Sequence, residues 1–123
     1  MTIVYRVQDS DGRGPWKPGV SKYWIDDSAH VGRLTETLMD LCGGVEAIRK
    51  LPSGWHYGCA CESLEGIAAW FTPNERIILD TMGYHPVSIK ADKIMFRSEW
   101  QVLIARKRPL RVGYVMVPWD KLT

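Results

Sequence analysis

The sequence predicts an α+β fold, with a single domain over residues 1–123, a mostly antiparallel twisted sheet and several short helices. One strand-like run at the start, short helices in the middle and further strand-like runs near the end together favour this class. The strand-like runs are residues 2–8, 55–60, 87–91, 93–96, 100–105 and 112–117. A chain of 123 residues is long enough to bury a core of its own.

The run at residues 100–105 is predicted to lie at the centre of the fold. Val102, Leu103 and Ile104 are consecutive bulky apolar residues. Such a run suits a strand covered on both faces better than a strand half in water. The run at residues 112–117 comes just before Pro118, and we expect it to form an edge strand.

The segment 9–19 is predicted to be a loop, since it holds three glycines and two prolines. Residues 12–14 superficially resemble a phosphate-binding loop. However, no helix pattern follows, and the glycine spacings of dinucleotide-binding and P-loop motifs are absent. A close approach of two backbone segments is the favoured reason for these glycines.

Two helices are predicted between residues 28 and 51, where they form a helical arm. The first begins near Ala29 and ends at the glycine pair 43–44, and the second covers residues 45–51. The residues that can cap the first helix are Asp26, Asp27 and Ser28, and those on its apolar face are Val31, Leu34, Leu38 and Leu41. Residues 52–54 are the candidate hinge after this arm.

Two more helices are predicted at residues 64–71 and 73–82. Ser63 can cap the first of them. The second follows the clearest local signal in the chain, a capping box with Thr72 at the cap, a proline at the first helical position and Glu75 at the third. We expect this helix to bury Ile77 and Ile78, and to stop at the glycine that follows residue 82.

Composition and charge bound the function. The formal net charge of +2 is too small to indicate nucleic acid by itself, and nucleic acid is not an expected partner. The basic cluster Arg106, Lys107, Arg108 and Arg111 is typical of a solvated strand end, with anion or nucleic-acid binding as the alternative. No run reaches the roughly 20 apolar residues of a membrane span, and no signal peptide is visible. Three cysteines favour a reducing compartment, so a cytoplasmic location in the host is expected. Six tryptophans favour some indoles at a pocket or interface.

No metal site is predicted. His56, Cys59 and Cys61 lie close in sequence, but the spacing of the two cysteines is tighter than zinc sites use, and Cys42 or His85 would have to complete the set. No signature links a histidine to a thiol, so a cysteine nucleophile is not indicated either.

Segments spread over most of the chain resemble a group of small proteins carried by phages and prophages of Gram-negative bacteria. These segments are residues 4–7, 9–18, 56–59, 63–65, 70–72, 82–84 and 98–104. The resemblance implies a phage protein and says little about activity.

A more distant resemblance is to the mono-ADP-ribosyltransferase fold. Arg6 matches the first-strand arginine that holds the phosphates or ribose of NAD in those enzymes, and Glu99 to Gln101 match their late E-x-E or Q-x-E triplet. Gln101 stands where the catalytic glutamate is expected. A neutral amide cannot stabilise the oxocarbenium-like transition state, and loss of one such group costs about 100- to 1000-fold in rate.

Two functions are therefore predicted, and a third interpretation stays open. The preferred one is a binding protein without a cofactor that engages a host protein or complex, for example as an inhibitor of a defence system such as a CRISPR effector, through exposed aromatic and basic residues. Those residues are Trp16, Trp24, Arg106 and Arg108. The alternative is an ADP-ribosyltransferase or a protein that binds NAD or ADP-ribose, with Arg6, His56 and Tyr57 as ligand-binding residues and Glu99 and Gln101 as catalytic residues. The third is that Arg6, Glu99 and Gln101 simply pair across the sheet. All three place the Arg6 strand beside the strand of residues 99–101 in one sheet.

Overall fold

The computed structural model, which describes residues 2–16, 21–25 and 36–122, contains two three-stranded antiparallel sheets. The strands are β1 (Thr2–Gln8), β2 (His56–Ala60), β3 (His85–Ala91), β4 (Lys93–Arg97), β5 (Val102–Arg106) and β6 (Tyr114–Met116). The first sheet has the order β1-β3-β6, and the second has the order β2-β5-β4. The α+β class and the antiparallel pairing are confirmed, whereas the prediction of one sheet is wrong.

The chain changes sheets at Asp92. Strand β3 ends at Ala91 in the first sheet, and β4 begins at Lys93 in the second. The backbone N–H of Asp92 donates to the carbonyl of Ala105 at 3.1 Å, which ties the crossover to β5. A polar residue between two strand-like runs occurs both in a hairpin and at such a crossover, so the sequence did not distinguish them.

Strand β5 is the centre of the second sheet, as predicted. All five of its residues are buried, and it pairs with β2 on one side and β4 on the other. Val102 and Ile104 pack towards the first sheet, in a cluster with Val4 and Ile89. Leu103 points to the other face. The consecutive apolar residues are therefore explained by cover on both faces.

Two short helices supply the cover over Leu103. The helices of the fold are α1 (Leu38–Cys42), α2 (Val45–Arg49), α3 (Leu64–Ala68) and α4 (Pro73–Thr81), with 3₁₀ turns at Ser21–Tyr23 and Trp119–Leu122. Leu41 and Cys42 of α1 form a buried cluster with Leu103, and Ile48 of α2 packs against it. The described part of the predicted arm is thus a layer on the second sheet.

The helix predicted to end at the glycine pair is confirmed over residues 38–42, but it does not continue back through Thr37. Thr37 has φ −87° and ψ 169°, which is extended backbone, and its side chain caps α1 by accepting from the N–H of Asp40. Helix α1 therefore begins at Leu38 and ends at Gly43, whose φ is 83°. The predicted start and caps at residues 26–29 lie outside the described residues.

The capping box of α4 is confirmed. The Thr72 hydroxyl accepts from the N–H of Glu75 at 3.2 Å, and the Glu75 carboxylate accepts from the N–H of Thr72 at 2.9 Å. The buried face differs from the prediction, because Glu75 and Leu79 are buried while Ile77 is 66 % exposed. Ile78 is half-buried against the core, as predicted.

None of the described helices has the length and apolar character that a bilayer crossing requires.

Gly12 confirms the prediction of a close backbone approach. Its φ is 80°, and a Cβ there would lie 2.7 Å from the backbone nitrogen of Arg111 and 2.9 Å from the carbonyl carbon of Leu110. The loop after β1 therefore lies against the loop after β5. Strand β6 closes the first sheet as the predicted edge strand.

Candidate functional site: a cleft around Arg6

A cleft of about 900 Å³ opens where the edges of the two sheets meet. The backbones of Tyr5 and Cys61 exchange two hydrogen bonds, of 2.8 and 2.7 Å, and so join β1 to the end of β2 beside this cleft. The residues lining it come from β1, β2, the loop after β1, the start of α1 and the turn after α3. The polar and thiol side chains among them are Arg6, Arg13, Glu36, Thr37, Tyr57, Cys59, Cys61 and Gln101.

Arg6 is the buried charge of the cleft. Its Nη1 donates to the side-chain oxygen of Gln8 and to the carbonyl of Gly12, both at 3.2 Å. Its Nε has no acceptor, and no carboxylate of the described residues lies within ion-pair distance. Burial lowers the pKa of Arg6 to about 10, against the smaller opposing influences of Cys59 and Asp9. The guanidinium therefore remains cationic at neutral pH.

Two glycines make room for this guanidinium. A Cβ on Gly58 would lie 3.0 Å from Arg6 Nη1 and 2.9 Å from the side chain of Leu110, so the side chain lies directly on β2. A Cβ on Gly14 would lie 3.4 Å from Arg6 Nη2. Nη2, like Nε, makes no hydrogen bond to the described part of the chain, so it is a donor left for a group that enters the cleft.

Aromatic rings form one wall. Trp16 packs edge-on against Trp24, with centroids 4.5 Å apart, and stacks on Phe71 at 6.1 Å. Trp24 is completely buried, and its indole N–H donates to the carbonyl of Pro15 at 3.1 Å. Trp16 is 48 % exposed, so it forms the rim of the cleft.

A carboxylate, that of Glu36, also lines the cleft, and the sequence had not indicated it. Glu36 Oε1 accepts from the hydroxyl of Ser98 at 2.6 Å and from Nε2 of Gln101 at 3.0 Å. Nε2 also donates to the Glu36 carbonyl at 3.1 Å. Glu36 stands in no local motif, so only the fold brings it to Gln101.

The thiols are not activated. Burial raises the pKa of Cys61 to about 12, with the Trp70 N–H acting against it, and burial also raises the pKa of Cys59 although the Arg6 charge lowers it. Both thiols are thus protonated at neutral pH and are poor nucleophiles. No cluster of metal-ligating side chains exists among the described residues.

The structure brings together only some of the predicted site residues. Arg6, Tyr57, Gln101 and Trp16 line the cleft, whereas Glu99 and His56 are exposed outside its lining. The hydroxyl of Tyr57 donates to the carbonyl of Pro52.

Two predicted partner-contact residues require correction. Trp24 is buried in the aromatic wall, and Arg106 is 4 % exposed, with Nη1 donating to the carbonyls of Pro109 and Val112. The expected exposure of both is wrong, because each has a structural role inside the fold. Trp16 and Arg108 are exposed, so a partner can reach them.

The predicted geometry of one shared sheet is also wrong. Arg6 is on β1 in the first sheet, and residues 99–101 form a turn before β5, where the Ser98 hydroxyl accepts from the N–H groups of Trp100 and Gln101. The predicted cross-strand pairing of Arg6 with Glu99 and Gln101 does not form. Arg6 and Gln101 nevertheless share one cleft, which Arg6 lines from β1 and Gln101 from the turn before β5.

A family model for the bacteriophage T4 Y00F protein matches residues 1–117. The chain belongs to the T4 Y00F family. This membership confirms that it is a small phage protein. No curated protein and no solved structure matches it significantly, so the resemblance to ADP-ribosyltransferases remains a prediction.

Proposed function

We propose that this T4 Y00F family protein acts in the host cytoplasm by binding a host protein, and that the cleft around Arg6 receives an acidic side chain of that protein. The supporting observation is the buried cationic guanidinium, which has no carboxylate of the described residues within ion-pair distance. A carboxylate that enters the cleft gains a charge-assisted hydrogen bond to Nη2 of a side chain that is itself buried.

The shape of the cleft suits an anchor residue on a protein surface. The Arg6 fork is held in place by Nη1, so little side-chain entropy is lost when a partner binds. Trp16 at the rim adds a large, half-exposed apolar surface. Tryptophan and arginine are the residues that most often dominate the energetics of interfaces. The consequence that we propose for the host is inhibition of the bound protein, for example a component of a defence system.

Copurification from the phage host tests this proposal. We expect a stoichiometric partner whose affinity falls at least about 30-fold with Arg6→Met, since truncating one member of a buried charge pair costs about 2–5 kcal/mol. Arg6→Lys should restore part of the affinity. Arg49→Met is the matched control, because Arg49 is exposed and its ion pair is with Glu46 on the same helix, α2. An affinity that is equal for Arg6→Met and the control would refute the role of the cleft.

A second candidate is a site for NAD or ADP-ribose, and Glu36 is the observation that favours it. In this chain Gln101 stands where the transferases have a catalytic glutamate. Glu36 is hydrogen-bonded to Gln101 and provides a carboxylate in the cleft. In this function Arg6 would bind the phosphates, and Glu36 would stabilise the oxocarbenium-like transition state.

Calorimetry with NAD and ADP-ribose separates the two functions. If the second candidate is right, titration with NAD or ADP-ribose gives a heat of binding, and Arg6→Met abolishes that heat. The protein also releases nicotinamide from NAD, and Glu36→Gln lowers the rate of this release at least about 100-fold. Flat titrations with both compounds would remove this candidate and leave protein binding unaffected.

A further inference from the structure

Folding gathers basic residues that are far apart in the sequence at one end of the second sheet. The start of β2, the start of β4 and the end of β5 meet there, since His56 is opposite Arg106 and Lys93 is opposite Ala105. Lys107 and Arg108 follow directly on β5 and are exposed. The sequence, in which the basic residues are mostly dispersed, could not show this convergence.

An indole lies at the middle of this basic end. The ammonium of Lys93 lies 4.7 Å from the centroid of the Trp55 ring, and that of Lys107 lies 5.8 Å from it. Both cations are attracted by the same ring. Two long lysine side chains are thereby held close together at one half-buried aromatic side chain.

The charges at this end lack carboxylate partners at ion-pair distance in the part of the chain that the structure describes. Among the described residues, neither Lys93 nor Lys107 forms an ion pair, while at the other end of β4 Arg97 is paired with Glu62 at 2.8 Å. The nearby acid is Asp92, whose carboxylate accepts from the backbone N–H of Lys107 at 2.9 Å. Its single charge does not offset those of Lys93, Lys107 and Arg108.

Arg108 adds to the crowding of positive charge. A Cβ on Gly113 would lie 2.8 Å from Nη1 of Arg108 and 3.2 Å from Nη2 of Arg106, so the two guanidinium groups meet over the backbone of Gly113. Arg106 is bonded internally, whereas Arg108 is exposed. The repulsion between these like charges is relieved when a polyanion binds.

We propose that Trp55, Lys93, Lys107 and Arg108, here called the Trp55 platform, bind single-stranded nucleic acid. A nucleotide carries both a planar base and a phosphate, and these match the indole and the ammonium groups that surround it. The lysines have flexible stems, so they can move to the phosphates while a base stacks on the ring. An acidic peptide would satisfy the charges but would leave the indole without a planar partner.

Fluorescence anisotropy of the full chain with labelled oligo(dT) and oligo(U) of about 16 nucleotides, the upper site size of small single-strand binders, tests the proposal. We expect binding that weakens as salt rises. The double variant Lys93→Gln/Lys107→Gln should weaken it at least about tenfold and reduce the log–log salt slope by about 1.4, since each neutralised phosphate of a single strand contributes about 0.7. Trp55→Leu should weaken binding about tenfold through lost stacking, with the slope unchanged.

The matched control is Lys50→Gln/Lys90→Gln, which removes the same charge from two exposed positions, one directly after α2 and one on β3. Among the described residues, the cations at the Trp55 ring are Lys93 and Lys107 instead. Equal losses in the two double variants would overturn the proposal, because binding would then depend only on net charge. Absence of binding at low salt would overturn it as well. Polyglutamate and unlabelled oligonucleotide are compared as competitors at the same concentration of negative charge. If polyglutamate displaces the labelled strand equally well, the surface binds an acidic protein instead.

Discussion

One buried guanidinium gives the cleft its chemical character. Arg6 is on the face of β1 that also carries Val4 and Gln8, and all three are buried. Nε2 of the Gln8 side chain donates to the Leu110 carbonyl at 2.9 Å, and the side-chain oxygen of Gln8 accepts from Arg6. The charge of Arg6 is therefore fixed between two loops. The match to a first-strand arginine indicated Arg6 as a ligand-binding residue. The residues around its side chain are distant in sequence, so the sequence could not show that Arg6 is buried with no carboxylate of the described residues at ion-pair distance.

Gly58 tests the fit of the guanidinium against β2. We expect Gly58→Ala to lower the free energy of unfolding by about 1–3 kcal/mol, because the new methyl group would contact Arg6 Nη1 at 3.0 Å and Leu110 at 2.9 Å. Gly14→Ala is the control, since its methyl would meet Arg6 at 3.4 Å and should be tolerated within about 0.5 kcal/mol. Urea denaturation of both variants measures the difference, and equal losses would contradict the described position of Arg6.

The buried thiol of Cys61 should make stability depend on alkaline pH. Its pKa is about 12 in the fold and near 9 in the unfolded chain, so the unfolded chain loses this proton first and folding is disfavoured as pH rises from about 9 to 12. Arg6, whose pKa is lowered, has the opposite effect above about pH 10. The difference between the wild type and Cys61→Ala isolates the thiol, because Arg6 contributes equally to both.

Denaturation at several pH values between 8 and 11 measures this effect. The wild type should lose up to about 1.4 kcal/mol per pH unit more than Cys61→Ala in that range. Parallel pH profiles for the two proteins would show that Cys61 titrates alike in the folded and unfolded chains.

Helix ends are the elements that the sequence predicted best. Three helix ends were predicted: the cap of α4 at Thr72, the cap of α3 at Ser63 and the stop of α1 at Gly43. Each of them depends on hydrogen bonds between residues a few positions apart, so a local pattern is sufficient to predict it. The prediction for the buried face of α4 was wrong at Ile77, because Ile77 and Leu79 are both apolar and only the packing partner decides between them. The core selects Leu79, which is completely buried.

The capping box of α4 gives a prediction at this scale. Thr72→Ala should cost about 0.5–2 kcal/mol of stability, since it removes the acceptor for the N–H of Glu75. Asn74→Ala, an exposed substitution in the same helical turn, should change stability by less than about 0.5 kcal/mol. Thermal unfolding followed by circular dichroism distinguishes them, and equal shifts would show that the cap contributes nothing.

The two sheets set the order in which the molecule should open. Strand β5 is buried along its whole length between two partners, whereas β6 is a three-residue edge strand with Val115 and Met116 exposed. We expect the amides of β5 to exchange with solvent slowest and those of β6 to be among the fastest of the strands, as followed by native-state hydrogen exchange. Earlier exchange in β5 than in β6 would contradict the assignment of the centre.

At the scale of the whole molecule, the sequence predicted the strands but not their partners. Each run has local signals, yet pairing joins β1 to β3 across some 80 residues and leaves the adjacent β3 and β4 in different sheets. The cleft is a product of that arrangement, since Arg6 lines it from β1 in the first sheet and Gln101 from the turn that leads into β5 of the second. Its carboxylate, Glu36, was missed for the same reason.

Site-specific photo-crosslinking in infected host cells tests the account most directly. With p-benzoylphenylalanine in place of Trp16, at the rim of the cleft, we predict one cross-linked host protein that disappears when Arg6→Met is added and persists with Arg49→Met. The same photo-reactive group in place of Ile3, which is exposed on β1 away from the cleft, should not capture that protein. A cross-link that survives Arg6→Met, or that forms equally from position 3, would contradict capture through the cleft.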